Sequence, residues 1–496
     1  MNTKQFFSVI FLLGIILNHG FAQVVDAELI HWNDFHSTNI SYTPTYRNPH
    51  KIQVGGSAIL AGYIDSLKNI YNDALVVNAG DDFQGSPISS ITKGLSQILI
   101  MNKMNLDAFT LGNHEFDYGK DQLYNTLNKA TFPVLSANIY DDHKASLFTK
   151  PFQVYKKGDV DIAVIGCVYE NLKSSSIPKN VEGITILPPL PEIKKYVDEV
   201  KNKVDLIIVL SHSGFEEDSI LAENLDEVDV IVGGHSHSWL KKPIVVNEII
   251  IVQAGARGER LGFLKMKVDK KANKILSHNY DFIQTITTNI KPNQEIAALV
   301  DSMESELSDV MDEVIGTLEK DWIRNSHNVS NLGNWICDAT KKKFDVDIVF
   351  HNGGGIRKNL IAGSIKTRDI WEISPFDNTI QIIEITGQQL LDILKYRLRN
   401  SSDFLQFSGL KISWDPATNN LVKVLIDGKP VDNAETYTVA TNNYIMSHSK
   451  RFFNIENSDL EIKDTGKISR NILVEAVKKQ KVISGELDER LIETRE

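Results

Sequence analysis

Leu75-Val76-Val77-Asn78-Ala79-Gly80-Asp81-Asp82-Phe83-Gln84-Gly85-Ser86 is the stretch whose reading decides the fold. A short apolar run ends abruptly in a glycine followed by two carboxylates. Such a run is too short for a helix and fits a buried strand, and the glycine allows a sharp turn at its end. The same grammar recurs along the first half of the chain. Glu28–Trp32 leads into Asn33-Asp34-Phe35-His36. Ala108–Leu111 leads into Gly112-Asn113-His114-Glu115, Leu206–Leu210 into Ser211-His212-Ser213, and Val230–Val232 into Gly233-Gly234-His235-Ser236-His237. Helical patterns such as Ser57–Ile70, Leu95–Met104 and Pro191–Lys203 lie between these runs. Alternation of this kind predicts an α/β layered domain, with the polar motifs at the carboxyl ends of strands, where such sheets place their ligands.

The motifs share one chemistry. Each offers carboxylate, imidazole or amide donors, a mixed N/O set that suits Zn, Mn or Fe better than the all-oxygen sites of Ca and Mg. Two ions need a bridging carboxylate, and Asp81 is the natural one. A pair about 3.5–4 Å apart clamps the attacking and leaving oxygens of an in-line displacement and makes hydroxide from a bridging water at neutral pH. No Ser or Cys nucleophile is then needed. A lone histidine after a strand is more often structural, but five such segments in order outweigh that reading.

The order DxH, GDxxQGS, GNHEFDYG, SHSG and GGHSH resembles the calcineurin-like metallophosphoesterases. The longer forms Gly80–Ser86 and Gly112–Gly119 resemble the 5′-nucleotidase branch in particular. The resemblance implies an N-terminal four-layer αββα domain, with one metal held by Asp34, His36, Asp81 and His237 and a second by Asp81, Asn113, His212 and His235. It also implies a catalytic pair, His114 oriented by Asp117. His237 departs from the pattern, since 5′-nucleotidases carry Gln or Asn there. Imidazole still ligates a metal, so the departure bears on the substrate.

The second half carries its own motifs. Asn331–Ala339 resembles the NLGNLICDA helix of the 5′-nucleotidase C-terminal domain, and Asn352-Gly353-Gly354-Gly355-Ile356-Arg357 resembles its NGGGIR turn. The resemblance implies an α+β substrate domain in which Asn352, Gly354 and Arg357 meet the phosphate side of a nucleotide. Phe376, in Pro375-Phe376, and Tyr444, in Asn442-Asn443-Tyr444, match the two aromatics that sandwich the base. Arg324 is carried as a further candidate, out of register with the family's arginines. The family often follows its second aromatic with an Asp-bearing glycine loop. Here Met446–Arg451 is basic and has no Asp.

Bulk properties set outer limits. The chain has 496 residues and a formal net charge of −11, which argues against a nucleic-acid polymer as partner but not against a small nucleotide. Lys4 followed by the apolar run Phe6–Leu17 and Gly20-Phe21-Ala22 reads as an export signal over 1–22, too short for a membrane span. No stable membrane anchor is expected, and the destination is the periplasm or the exterior. Cys167 and Cys337 read as buried free thiols. The expected organisation is a metallophosphoesterase domain over 23–290, one long linking helix over 291–320 and a substrate domain over 321–496. The leading expectation is a 5′-nucleotidase. The alternatives are a 2′,3′-cyclic-nucleotide phosphodiesterase with 3′-nucleotidase activity, a nucleotide-sugar hydrolase, and an exported binding protein with a dead site.

Overall fold

The computed structural model describes residues 23–45, 50–399, 403–418 and 420–494. The expected export signal at 1–22 lies outside them. Two six-stranded sheets form the centre of the N-terminal half. The first runs in the order Lys274–Gln284, Arg260–Asp269, Val24–Trp32, Leu75–Asn78, Ala108–Thr110, Val134–Leu135. The second runs Ile244–Val246, Ile249–Val252, Val230–Val232, Leu206–His212, Val160–Val168, Phe152–Lys157. The motif-bearing strands pair in parallel, with Ile30 opposite Val76 and Val209 opposite Ile165. Their carboxyl ends therefore share one edge of the sheets.

The alternation of side chains builds the layers. Leu29, Leu75 and Val77 point inward to meet Val164, Ile208 and Leu210 of the facing sheet. Their neighbours Ile30 and Val76 point outward, onto Leu60 and Ile64 of helix Ser57–Ile70. Ile207 and Val209 do the same on the other side, onto Ile193 and Val197 of helix Pro189–Val200. Helix, sheet, sheet and helix make the four-layer αββα arrangement that the motif order implied.

The connector differs from the expectation. In place of one helix over 291–320 there is a helix Gln294–Ser305, a single turn Ser308–Met311 and a strand Val314–Leu318. Asn293 caps the first helix by accepting from the Ile296 N–H at 3.0 Å. Its end coincides with two serines that bond backwards, Ser305 Oγ to the Ser302 carbonyl and Ser308 Oγ to the Ser305 carbonyl, both at 2.8 Å. Such bonds compete with helix propagation. The following Val314-Ile315 finds strand partners in Gly363–Lys366 and Val482–Ile483, so this segment is built into the C-terminal half.

That half is an α+β unit. Its main sheet runs Leu405–Ser408, Ile348–Asn352, Thr436–Asn442, Thr379–Thr386, Lys463–Ile468. Helices Asn331–Phe344 and Gly387–Arg399 pack on it. Both cysteines are buried and free, as the sequence suggested. No helix among the described residues is long and apolar enough to cross a membrane.

The inter-sheet layer is one of the buried apolar cores of the N-terminal half. Ile208→Ala, at a position with 0% exposure, is expected to cost about 2–5 kcal/mol in chemical denaturation of the full chain. Ile70→Ala, at 70% exposure, is expected to shift it by no more than about 0.5 kcal/mol. Equal effects would contradict the layer assignment.

Candidate active site

Five of the seven expected ligands sit in left-handed backbone: Asp34 (φ 50°), His36 (49°), Asp81 (63°), His235 (71°) and His237 (54°). For non-glycine residues this costs about 1–3 kcal/mol each and persists only where the surroundings over-determine it. Here they do. The Asp34 N–H donates to the Gly80 carbonyl and the His36 N–H to the Asp81 carbonyl, both at 2.9 Å, which interlocks the first two motifs. The His235 N–H donates to both Asp34 carboxylate oxygens, at 3.1 and 3.0 Å. Gly112 is required by contact, because a Cβ there would lie 2.1 Å from Asp81 Oδ1.

Glu115 ties the second and third motifs together. Its Oε1 accepts from the Asp82 and Phe83 N–H groups at 2.7 and 3.2 Å. Its Oε2 accepts from Gly112 and Asp81 at 2.6 and 3.0 Å. Burial, and then the Asp81 charge, push its carboxyl up to about 7. The sequence reading passed over this residue, although it stands inside the quoted Gly112–Glu115 motif. Its signal was a carboxylate in a run otherwise committed to a ligand and an imidazole.

The donor atoms converge in three overlapping groups, Asp34/His36/His237, His36/Asp81/His114 and Asp81/His212/His235, each within 4.8 Å. His212 Nε2 lies 3.2 Å from Asp81 Oδ2, and His237 Nε2 lies 3.4 Å from Asp34 Oδ1. His212 Nδ1 donates to the Ala79 carbonyl at 2.6 Å, which turns Nε2 toward the Asp81 carboxylate. His212 Nε2 and Asn113 Oδ1 are buried without a hydrogen-bond partner in the protein. Buried polar atoms are otherwise paired, so two orphaned donors beside a carboxylate fit a cation.

The electrostatics agree. Burial, reinforced by neighbouring cations, holds His36 well below its usual range and His235 down to about 4, which keeps both in the neutral, metal-ligating form. Burial also opposes charge on His212, but the Asp81 carboxylate outweighs it and drives this imidazole up to about 10.

His114 opens the short 3₁₀ segment His114–Tyr118. Its backbone N–H donates to Asp81 Oδ1 at 2.9 Å, and its Nδ1 meets Asp117 Oδ2 at 2.8 Å. Burial lowers its basicity, yet Asp117 and Asp81 together raise it above the ordinary value. Its ring stacks on Phe376 of the other half, with centroids 5.8 Å apart and planes at 28°.

One cavity of about 480 Å³ joins the two halves. Asp81, Asn113, His114, Asp117, His235 and His237 line it from one side. Asn352, Gly354, Arg357, Phe376 and Tyr444 line it from the other. Asp34, His36 and His212 lie beneath this wall. Arg357 Nη2 reaches to 3.3 Å from His36 Nε2. Arg324 is not on the cavity wall. Its guanidinium donates to the Ile356 carbonyl at 3.2 Å, behind the loop that carries Arg357. Asp403, which the sequence reading missed, does line the cavity and accepts from the Gly354 N–H at 2.7 Å. Nothing local marks it, since it lies about fifty residues from the glycine turn it serves. The basic loop after Tyr444 is spent on the domain contact. Tyr444 Oη and Arg451 Nη1 donate to the Ser174 carbonyl at 3.4 and 3.3 Å, and His448 Nε2 to that of Lys173 at 3.3 Å.

Comparison with known proteins follows the same division. Residues 28–239 match the family model of the calcineurin-like phosphoesterases, and residues 314–456 match that of the 5′-nucleotidase C-terminal domain. The 5′-nucleotidase of Bos taurus is 27% identical over 516 residues, covering 92% of this chain and 88% of the relative. The endonuclease YhcR of Bacillus subtilis (strain 168) is 29% identical over 415 residues, covering 78% of this chain, which spans only 34% of that longer protein. The crystal structure of a 5′-nucleotidase precursor from Thermus thermophilus superimposes with a TM-score of 0.86 at 28% identity, covering 95% of this chain and all of the other. The chain belongs to the 5′-nucleotidase family and is a metal-dependent phosphoric ester hydrolase.

Proposed function

We propose that this protein is an exported enzyme that hydrolyses the phosphate ester of nucleoside 5′-monophosphates. The observation that carries the reading is the shared cavity, which puts the donor cluster around Asp81 in one space with Arg357, Phe376 and Tyr444. Two divalent ions, of Zn, Mn or Fe, would be held by Asp34, His36, Asp81 and His237, and by Asp81, Asn113, His212 and His235. When bound, such ions supply Lewis acidity toward the phosphoryl oxygens and a nucleophile from water at neutral pH. Arg357 offers a planar donor fork to the phosphate. The Asp117 contact occupies His114 Nδ1 and leaves Nε2 to hold or deliver a proton at the leaving oxygen. Phe376 and Tyr444 offer π-faces to the base.

His237 favours a second reading on the same chemistry, in which the ester is a 2′,3′-cyclic nucleotide or a nucleotide sugar. A panel of esters at equal concentration separates the two.

Three outcomes are expected. His114→Asn should lower kcat on AMP by about 10²–10⁴ with little change in KM, and an unchanged kcat would contradict the assigned role. Chelation should abolish phosphate release, and a divalent metal should restore it; indifference to chelation would contradict the metal assignment. Tyr444→Ala should raise KM for AMP by about 5-fold or more, while a small ester without a base is unaffected. An equal effect on both esters would remove Tyr444 from base recognition.

A further inference from the structure

A second, smaller cavity lies behind the donor cluster. It measures about 60 Å³ and shares Gln84 and Arg357 with the large cavity, so these two side chains form the partition between them. A water needs about 10–15 Å³ of such space, so the cavity admits a tetrahedral oxyanion.

Its lining is unusual. Gln84 is 1% exposed, and both its amide oxygen and its amide nitrogen lack a partner in the protein. Asn39 is 5% exposed; its Oδ1 accepts from Ser57 Oγ at 2.7 Å, but its Nδ2 has no partner. Buried amides left open in this way cost about 1–3 kcal/mol each unless a ligand completes them. The charges are unbalanced as well. Arg257, Arg357, Lys358 and Arg368 line the cavity against Glu304 and Glu372. Arg368 pairs with Glu304 at 2.5 Å and Lys358 pairs with Glu372, whereas Arg257 and Arg357 meet no carboxylate among the described residues. Arg257 instead donates to the Arg357 carbonyl at 2.5 Å.

One carboxylate oxygen stands open among these groups. Glu304 uses Oε2 for Arg368, and its Oε1 is buried without a partner. A carboxylate oxygen repels a fully ionised anion but accepts a hydrogen bond from an acidic hydroxyl. Inorganic phosphate near neutral pH keeps such a P–OH, and sulfate has none.

We propose that this inner cavity is a second anion subsite, which receives the inorganic phosphate released by ester hydrolysis. The proposal needs only the ester chemistry of the family and does not depend on the nucleoside reading. Gln84 and Arg357, facing both cavities, would pass the anion from the donor cluster to the inner site. Glu304 would select the protonated oxyanion.

Product inhibition of the full, metal-loaded chain tests this with whichever ester the panel shows to be hydrolysed fastest. Phosphate should inhibit with a noncompetitive component beside the competitive one, and sulfate should lack that component or show it at least 10-fold more weakly. Glu304→Gln should erase the preference for phosphate over sulfate in that component. Because this variant also breaks the Arg368 pair, Asn39→Ala serves as a second one, removing a donor and no ion pair. It should weaken noncompetitive phosphate inhibition by about 10-fold or more, the worth of one charge-assisted hydrogen bond. Purely competitive inhibition by phosphate would overturn the proposal. So would equal noncompetitive inhibition by sulfate, or a component that both variants leave intact.

Discussion

Four backbone N–H groups point at one buried carboxylate, that of Glu115. They belong to two turns that are about thirty residues apart in sequence and stand at the ends of neighbouring strands. Hydrogen bonds from backbone N–H groups to a charged acceptor are among the stronger ones a protein makes. They fix the turn that gives Asp81 its left-handed conformation. The backbone of His114 then binds the other face of the same Asp81 carboxylate. Asp81, His114 and the glycine that makes room between them are thus set by one interaction. Strain at Asp34, His36, His235 and His237 is held in the same way, by bonds from neighbouring motif loops rather than by local sequence.

The second constraint is that neither half is sufficient for the cavity. The N-terminal layers supply the donor cluster and the C-terminal sheet supplies Arg357, Phe376 and Tyr444. The halves are joined by directional contacts. Arg257 spans them: its backbone N–H donates to the Asp34 carbonyl at 2.8 Å and its guanidinium donates to the Arg357 carbonyl. The loop after Tyr444 is fastened to the carbonyls of Lys173 and Ser174. This gives the basic character of residues 446–451 a structural purpose, where the sequence suggested an altered contact with substrate.

Much of this was legible before any coordinates. Apolar runs of strand length, each ending in a polar motif, gave the αββα layers, because alternation along Leu29-Ile30 and Ile207-Ile208 is a direct record of two buried faces. The donor cluster was legible because Asp, His and Asn are rare in such density at strand ends. Other features were hidden. The acidic, periodic 292–320 read as one helix, since backward-bonding serines and the strand partners of Val314-Ile315 are not visible in a helical pattern. Glu115 was overshadowed by Asn113 and the His114–Asp117 pair around it. Arg324 was placed by proximity in sequence to a motif, whereas the fold turns its guanidinium toward the Ile356 carbonyl and away from the cavity. Asp403 enters the cavity through a pairing that only the tertiary fold creates.

Asp81 is proposed to lie between two metal ions. A crystal of the full chain grown with Mn or Zn, with anomalous difference density collected at the absorption edge of that metal, tests it most directly. Two peaks per chain are expected, one on the His36 and His237 side of Asp81 and one on the Asn113, His212 and His235 side. A single peak, or peaks that do not contact Asp81, would contradict it.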